Sequence, residues 1–180
     1  MKTSTIVVTG PDTRWAYVNV WEPKSLGGNK PKYSVRLIIP KSDTRTIQNI
    51  QSAIEAAYTE GMAKLVGAGG YLPPFESLSS LPLRDGDVRY PYNRDYLNSY
   101  YINTKSNEPP EVFDSEKRLI VKHSEVYSGV YGRASIAFYA FSVGDNQGIV
   151  CGLRGLMKIR DGERMGRRRA FQDFAEFDEN

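Results

Sequence analysis

Three sets of side chains in this sequence carry groups able to act on, or hold, another molecule. The first is acidic: Glu111, Asp114 and Glu116 gather just before Lys117 and Arg118. A two-metal centre needs its carboxylates fixed around both ions by rigid elements. These acids sit beside the proline-rich turn at Pro109-Pro110 with no partner at suitable spacing, so solvated surface charge is the simpler reading. The second set is the single His123 and the single Cys151. One histidine without Cys or His neighbours cannot build a zinc site of familiar spacing. No Gly-x-Ser-x-Gly elbow offers a serine nucleophile, and Cys151 lies in the apolar run Gly148-Ile-Val-Cys-Gly-Leu153, the setting of an inert core thiol. Catalysis, a bound metal and a cofactor are therefore not expected.

The third set is aromatic and basic. The chain has 12 Tyr, 7 Phe and 2 Trp among 180 residues, and a tyrosine ring with its polar tip suits wet interfaces. Trp15, Tyr17, Trp21, Tyr101, Tyr131, Tyr139 and Phe141 are candidates for stacking on bases, which contributes about 1–3 kcal/mol per base and tolerates any sequence. Lys30, Lys32, Arg36, Lys105, Arg133, Lys158, Arg160 and Arg164 are candidates for following phosphates, with the salt dependence that such contacts bring. The competing reading is that these rings close a second core or pack under loops, and for each single ring both readings stand. Arg133, flanked two residues either side by Tyr131 and Ser135 on a non-core face, is better read as functional.

The elements that must position these residues are mostly strands. Tyr127 to Arg160 reads as two long strands around a turn at Gly144–Gly148. In the first, Val130, Ala134, Ile136, Phe138 and Ala140 point one way, while Tyr131, Arg133, Ser135, Ala137, Tyr139 and Phe141 point the other. Thr13 to Glu22 alternates similarly, with Ala16, Val18 and Val20 as the core row and Trp15, Tyr17, Asn19 and Trp21 opposite. Pro23 to Pro31 is a flexible loop, and Lys24, Lys30 and Lys32 make this connection basic. Tyr33 to Ile39 completes a hairpin closed by Pro40. Ser42 or Asp43 caps a helix running to about Val66, with Ile47, Ile50, Ile54, Ala57, Tyr58 and Leu65 as its buried stripe. Gly67 to Gly70 ends it and is no phosphate loop, since no Gly-Lys-Ser/Thr follows. Tyr71 to Asp95 shows no periodicity, and a connection of that length is often functional or mobile. Leu97 to Lys105 is a third strand, with Tyr100 and Ile102 opposing Tyr101, Asn103 and Lys105. Pro109 to Asp114 is an extended edge segment.

The chain is long enough for one domain with a sizeable core. A formal net charge of +3 argues only weakly for an acidic partner. One cysteine precludes an internal disulfide and fits a reducing compartment. The N-terminus has too few apolar residues for a signal peptide, and no run reaches the roughly 18 apolar residues of a membrane span. A cytoplasmic setting without membrane contact is expected. The fold expected is mainly β with one principal helix: an OB-fold-like five-stranded β-barrel with long loops over residues 1–165. Its helix follows the second strand rather than the third, a departure from the usual OB order. Residues 166–180 form a tail, basic at Arg167–Arg169, then acidic and aromatic through Phe171, Asp173, Phe174, Glu176, Phe177, Asp178 and Glu179. It reads either as a solvated terminus, or as a segment that competes for the basic groove or docks partner proteins.

The segments SYYINTKS, PPEVFD and YSGVYGRASIAFYAFSVGDNQGIVCGLRGLMKIRDGE resemble a phage-encoded single-stranded DNA-binding protein family, most closely from Leu97 to Phe174. The resemblance implies an OB-fold that coats single-stranded DNA during phage replication and recombination, in the host cytoplasm. It also implies an acidic C-terminal tail that contacts replication partners; here the tail ends Phe177-Asp178-Glu179-Asn180, without a terminal aromatic. A homodimer is left open. The alternative is a phage structural or assembly β-barrel protein whose aromatic face is a protein interface.

Overall fold

The computed structural model of the protein describes residues 4–25, 27–66, 70–78 and 81–165. The expected tail, Phe171 to Glu179 with its acids, lies outside these. Two hairpins supply the long strands. The first joins β2 (Arg14–Lys24) to β3 (Lys32–Pro40), and the second joins β7 (Tyr131–Val143) to β8 (Asn146–Arg160). A fifth long strand, β5 (Ser99–Ser106), pairs antiparallel with β3 along its whole length. Two further short strands, β1 (Ile6–Val8) and β4 (Leu83–Asp85), were not expected, and a third, β6 (Glu111–Phe113), falls in the extended edge segment expected over Pro109 to Asp114. The order is β1-β7-β2-β3-β5-β8-β6, with β8 pairing back on β7 and β4 lying on β5. The long strands thus form an OB-fold-like ring. It is knitted unevenly: β5 meets β8 in a single registered pair, Lys105 with Gly152.

Along β7 the alternation holds without a slip in facing. Val130, Ala134, Ile136, Phe138 and Ala140 are all buried, and their neighbours Tyr131, Arg133, Ser135, Ala137 and Phe141 are half-buried while Tyr139 is exposed. Along β2 the alternation fails. Tyr17 takes a left-handed backbone (φ 48) and the register with β3 shifts between Ala16 and Asn19. A bulge of this kind inverts the facing of everything beyond it. Trp15 therefore joins Val18 and Val20 in the main core, fully buried, and its Nε1 donates to the Gly132 carbonyl (3.1 Å). Ala16, expected in that core, instead faces a second cluster with Ile38, Tyr96 and Tyr101. Position 132 must be glycine, because a methyl there overlaps the Trp15 ring and the Met157 carbonyl.

The helix comes where its stripe places it, and in two pieces. Asp43 caps α1 (Thr44–Glu60) by accepting from the Thr46 N–H, and Ile47, Ile50, Ile54 and Ala57 are buried. Gly61 separates it from α2 (Met62–Val66), where the helix passes so close to β7 that a side chain would strike Ala140. The connection expected to be irregular contains β4, the short α3 (Gly86–Arg89) and a 3₁₀ turn at Arg94–Tyr96. Among the described residues no helix is long and apolar enough to cross a membrane.

Candidate nucleic-acid interface

The outer face of β2, β3 and β5 carries a groove of about 620 Å³ that runs on to Tyr139 and Val150 near the far end of the β7–β8 hairpin. Lys24, Lys32, Arg36, Arg84 and Lys105 line it, and among the described residues no carboxylate does. A smaller hollow of about 290 Å³ shares Lys24, Lys32 and Lys105 and adds Lys30 from the β2–β3 loop. This is a cationic channel with a ring at each flank, Tyr17 (66 % exposed) and Tyr139 (52 % exposed).

Arg36 is its centre. Its guanidinium lies 5.0 Å from the Tyr17 ring centroid and 4.7 Å from that of Tyr101. Nε donates to Asn103 Oδ1 (2.8 Å), and Nη1 to the hydroxyls of Tyr96 (2.8 Å) and Tyr90 (3.2 Å). Burial alone lowers its pKa, but the hydrogen bonds to Tyr96 and Tyr90 outweigh that and leave it raised. Tyr90, in turn, is lowered by its bond to Arg36, whereas burial dominates at Tyr96 and raises it. A planar cation so held is fixed in direction, and Nη2 has no hydrogen-bond partner among the described residues. Tyr17 reaches its place over Arg36 only because the bulge turns it outward. A left-handed non-glycine backbone costs about 1–2 kcal/mol and is characteristically retained at functional sites.

Of the residues expected to bind, Tyr17, Lys30, Lys32, Arg36, Lys105 and Tyr139 come together here. Others do not. Trp15 is in the core and has no face for a base. Tyr101 is buried beneath Arg36, so it acts on the groove only through that cation. Trp21 is stacked on His123 (centroids 4.1 Å apart, 5° between planes), and its Nε1 donates to the His123 carbonyl. Tyr131 lies under Arg160 (4.1 Å), which pairs with Asp12 (3.0 Å). Lys158 pairs with Asp161 (2.6 Å), and Arg164 covers Tyr127 (4.2 Å). Arg133 bonds the Thr9 carbonyl (3.3 Å), and Phe141 is half-buried outside the groove. Cys151 lies under the groove floor, where burial pushes its thiol pKa well up.

Sequence reasoning missed Arg84, Asn103, Tyr90 and Tyr96. Arg84 and Tyr90 belong to the connection without periodicity and Tyr96 follows it directly, and their placement depends on distant partners. Lys41 bridges Asp87 (2.8 Å) and Asp85 (2.9 Å), and Arg14 holds Asp95 (3.1 Å). The Lys41 ammonium holds both carboxyls below the usual aspartate range, helped at Asp87 by the Asn98 N–H. A depressed carboxylate stabilises the fold above its unfolded pKa of about 4, and that contribution is lost as pH falls through the folded values. The Asn98 amide resonance is therefore expected to shift on acidification below about pH 4, before the core unfolds. An Asn98 resonance that stays fixed until global unfolding would contradict the clamp.

Among the described residues no group of three or more His, Cys, Asp and Glu is placed to hold a metal ion. Several known proteins are similar to this chain in sequence or in fold. Protein p50 of Acyrthosiphon pisum secondary endosymbiont phage 1 is 28 % identical over 154 residues, covering 84 % of this chain and 82 % of that protein. The single-stranded DNA-binding protein from bacteriophage Enc34, solved in complex with ssDNA, superposes with a TM-score of 0.75 at 22 % identity, covering 92 % of this chain and 95 % of the other. The single-stranded DNA-binding protein gp2.5 of bacteriophage T7 gives a TM-score of 0.64 at 15 % identity, covering 97 % and 96 %. At these identities the superpositions speak for the fold. Residues 5–180 match the family described as the ssDNA-binding protein of Enterobacter phage Enc34, and the chain belongs to that family.

Proposed function

We propose that this protein binds single-stranded DNA without sequence preference and without catalysing any reaction on it. The strand lies in the groove across β2, β3 and β5. The observation that carries this reading is Arg36, held between Tyr17 and Tyr101 in a channel that the described residues line with five cations and no carboxylate. Phosphates pair with Lys24, Lys30, Lys32 and Lys105, and bases stack on the exposed rings of Tyr17 and Tyr139. Membership of a phage family named for ssDNA binding supports it, and the role proposed for that binding is in phage DNA replication or recombination. The tail from Phe171 to Glu179 serves protein partners in that setting.

Fluorescence anisotropy of labelled oligothymidylate tests the proposal. With about four to five phosphates neutralised, log K is expected to fall with log salt at a slope of about −3. Tyr17→Ala is expected to weaken binding about tenfold, the loss of one stacked base, with thermal stability nearly unchanged because the ring is largely exposed. Binding insensitive to salt, or equal affinity for the variant, would count against the groove.

A further inference from the structure

The segment from Gly86 to Leu97 divides its charges. Its acids point inward: Asp87 joins Asp85 on Lys41, and Asp95 pairs with Arg14. Its cations do the opposite, for Arg89 and Arg94 are exposed and make no ion pair among the described residues. The apolar side chains share this outward habit, with Tyr92 99 % exposed and Val88 79 % exposed. The segment therefore exposes a ring and two cations, Arg89 also lying 5.9 Å from the Tyr90 ring centroid, while its own negative charge is spent on the fold. The face is also firmly built. Asp85 and Asn93 accept from the N–H groups of Asp87 and Asp95, and Asn98 donates to Asp87, which brings the two ends together. It adjoins the groove, since Arg84 lines the groove just before it and its Tyr90 and Tyr96 hold Arg36 by their hydroxyls.

We propose that this segment is a second contact element for single-stranded DNA, receiving the strand as it leaves the groove past Arg36. Tyr92 stacks on a base, and Arg89 and Arg94 take phosphates on either side of it. An acidic protein segment would satisfy the cations equally, but continuity with the groove favours the nucleic acid. The inference rests on the reading of the groove as the ssDNA site.

The test compares the full-length chain with a Tyr92→Ala, Arg89→Ala, Arg94→Ala triple variant. The probes are labelled oligothymidylates of about 6 nucleotides, enough for the groove alone, and about 20 nucleotides, beyond one site. The variant is expected to bind the long oligomer at least tenfold more weakly and the short one within about twofold, with the salt slope on the long oligomer flattened by about 1.4 for two lost phosphate contacts. Arg89→Lys with Arg94→Lys, Tyr92 kept, retains most long-oligomer affinity, because lysine serves a phosphate as a point charge. Equal losses on both oligomers, an unchanged slope, or failure of the lysine variant would overturn the proposal. Tighter binding by the triple variant would also overturn it and assign the face to an acidic protein segment. Wild-type protein that binds neither oligomer would instead overturn the groove reading itself. A melting temperature matching wild type confirms that the variant is folded, as expected for three exposed side chains.

Discussion

Arg36→Ala is expected to weaken oligothymidylate binding on the order of 100-fold, the largest loss of any single change in the groove. Two effects add. The cation facing the DNA is removed, and Tyr17 loses the guanidinium it rests on, a contact worth about 0.5–2 kcal/mol. Hydrogen bonds to a charged group contribute about 1.5–3 kcal/mol, and here Asn103, Tyr90 and Tyr96 all lose theirs. Because Tyr96 is buried, its orphaned hydroxyl also lowers stability, so the melting temperature should fall as well. Arg36→Lys is expected to recover little of the binding. A point charge cannot donate along three fixed directions while lying flat between two rings. Recovery to within about threefold of wild type would show that charge alone matters, and that the sandwich does not.

Trp15→Ala is expected to destabilise the fold by about 3–5 kcal/mol. That is a large part of the roughly 5–15 kcal/mol available to a domain. Trp15 is fully buried, packs against Gly132 and has its indole N–H satisfied by a backbone carbonyl. Removing it leaves a cavity and an unpaired carbonyl at the point where β2 meets β7. Urea unfolding measures the loss. A cost below about 1 kcal/mol, with DNA affinity reduced instead, would return Trp15 to the surface role its spacing suggests.

The contrast between these two residues shows what was legible in the sequence. The β7 pattern could be followed for its full length because a regular strand keeps the facing of every second residue. In β2 the same rule breaks between Ala16 and Asn19. The left-handed turn of Tyr17 leaves no mark in the spacing of apolar residues, so Trp15 and Ala16 were assigned to each other's faces. Tyr17 itself was placed correctly. Arg36, Lys32 and Lys105 come together in one groove because β3 and β5 pair in full register. Arg84, Tyr90 and Tyr96 were hidden because their segment is built from side-chain caps and ion pairs to Lys41 and Arg14, more than forty residues away along the chain. Residues with no local period are positioned by tertiary partners, and no window of sequence contains those partners. Tyr131, also expected to bind, lies against Arg14 and Arg160, and these cations are themselves paired with Asp95 and Asp12. The resemblance of Leu97–Phe174 to a phage ssDNA-binding family, by contrast, pointed to the right family.

The lone rung between Lys105 and Gly152 makes β5–β8 a sparsely paired seam of the ring. Every other long seam is tied by several backbone bonds, including the β2–β7 junction, where Trp15, Gly129 and Gly132 supplement the strand pairing. The weak seam runs beneath the groove, with Lys105 on one bank and Val150 and Cys151 on the other. The channel floor is thus crossed by a seam with one registered backbone pair, while the strands on either side keep their full pairing with β3 and β7.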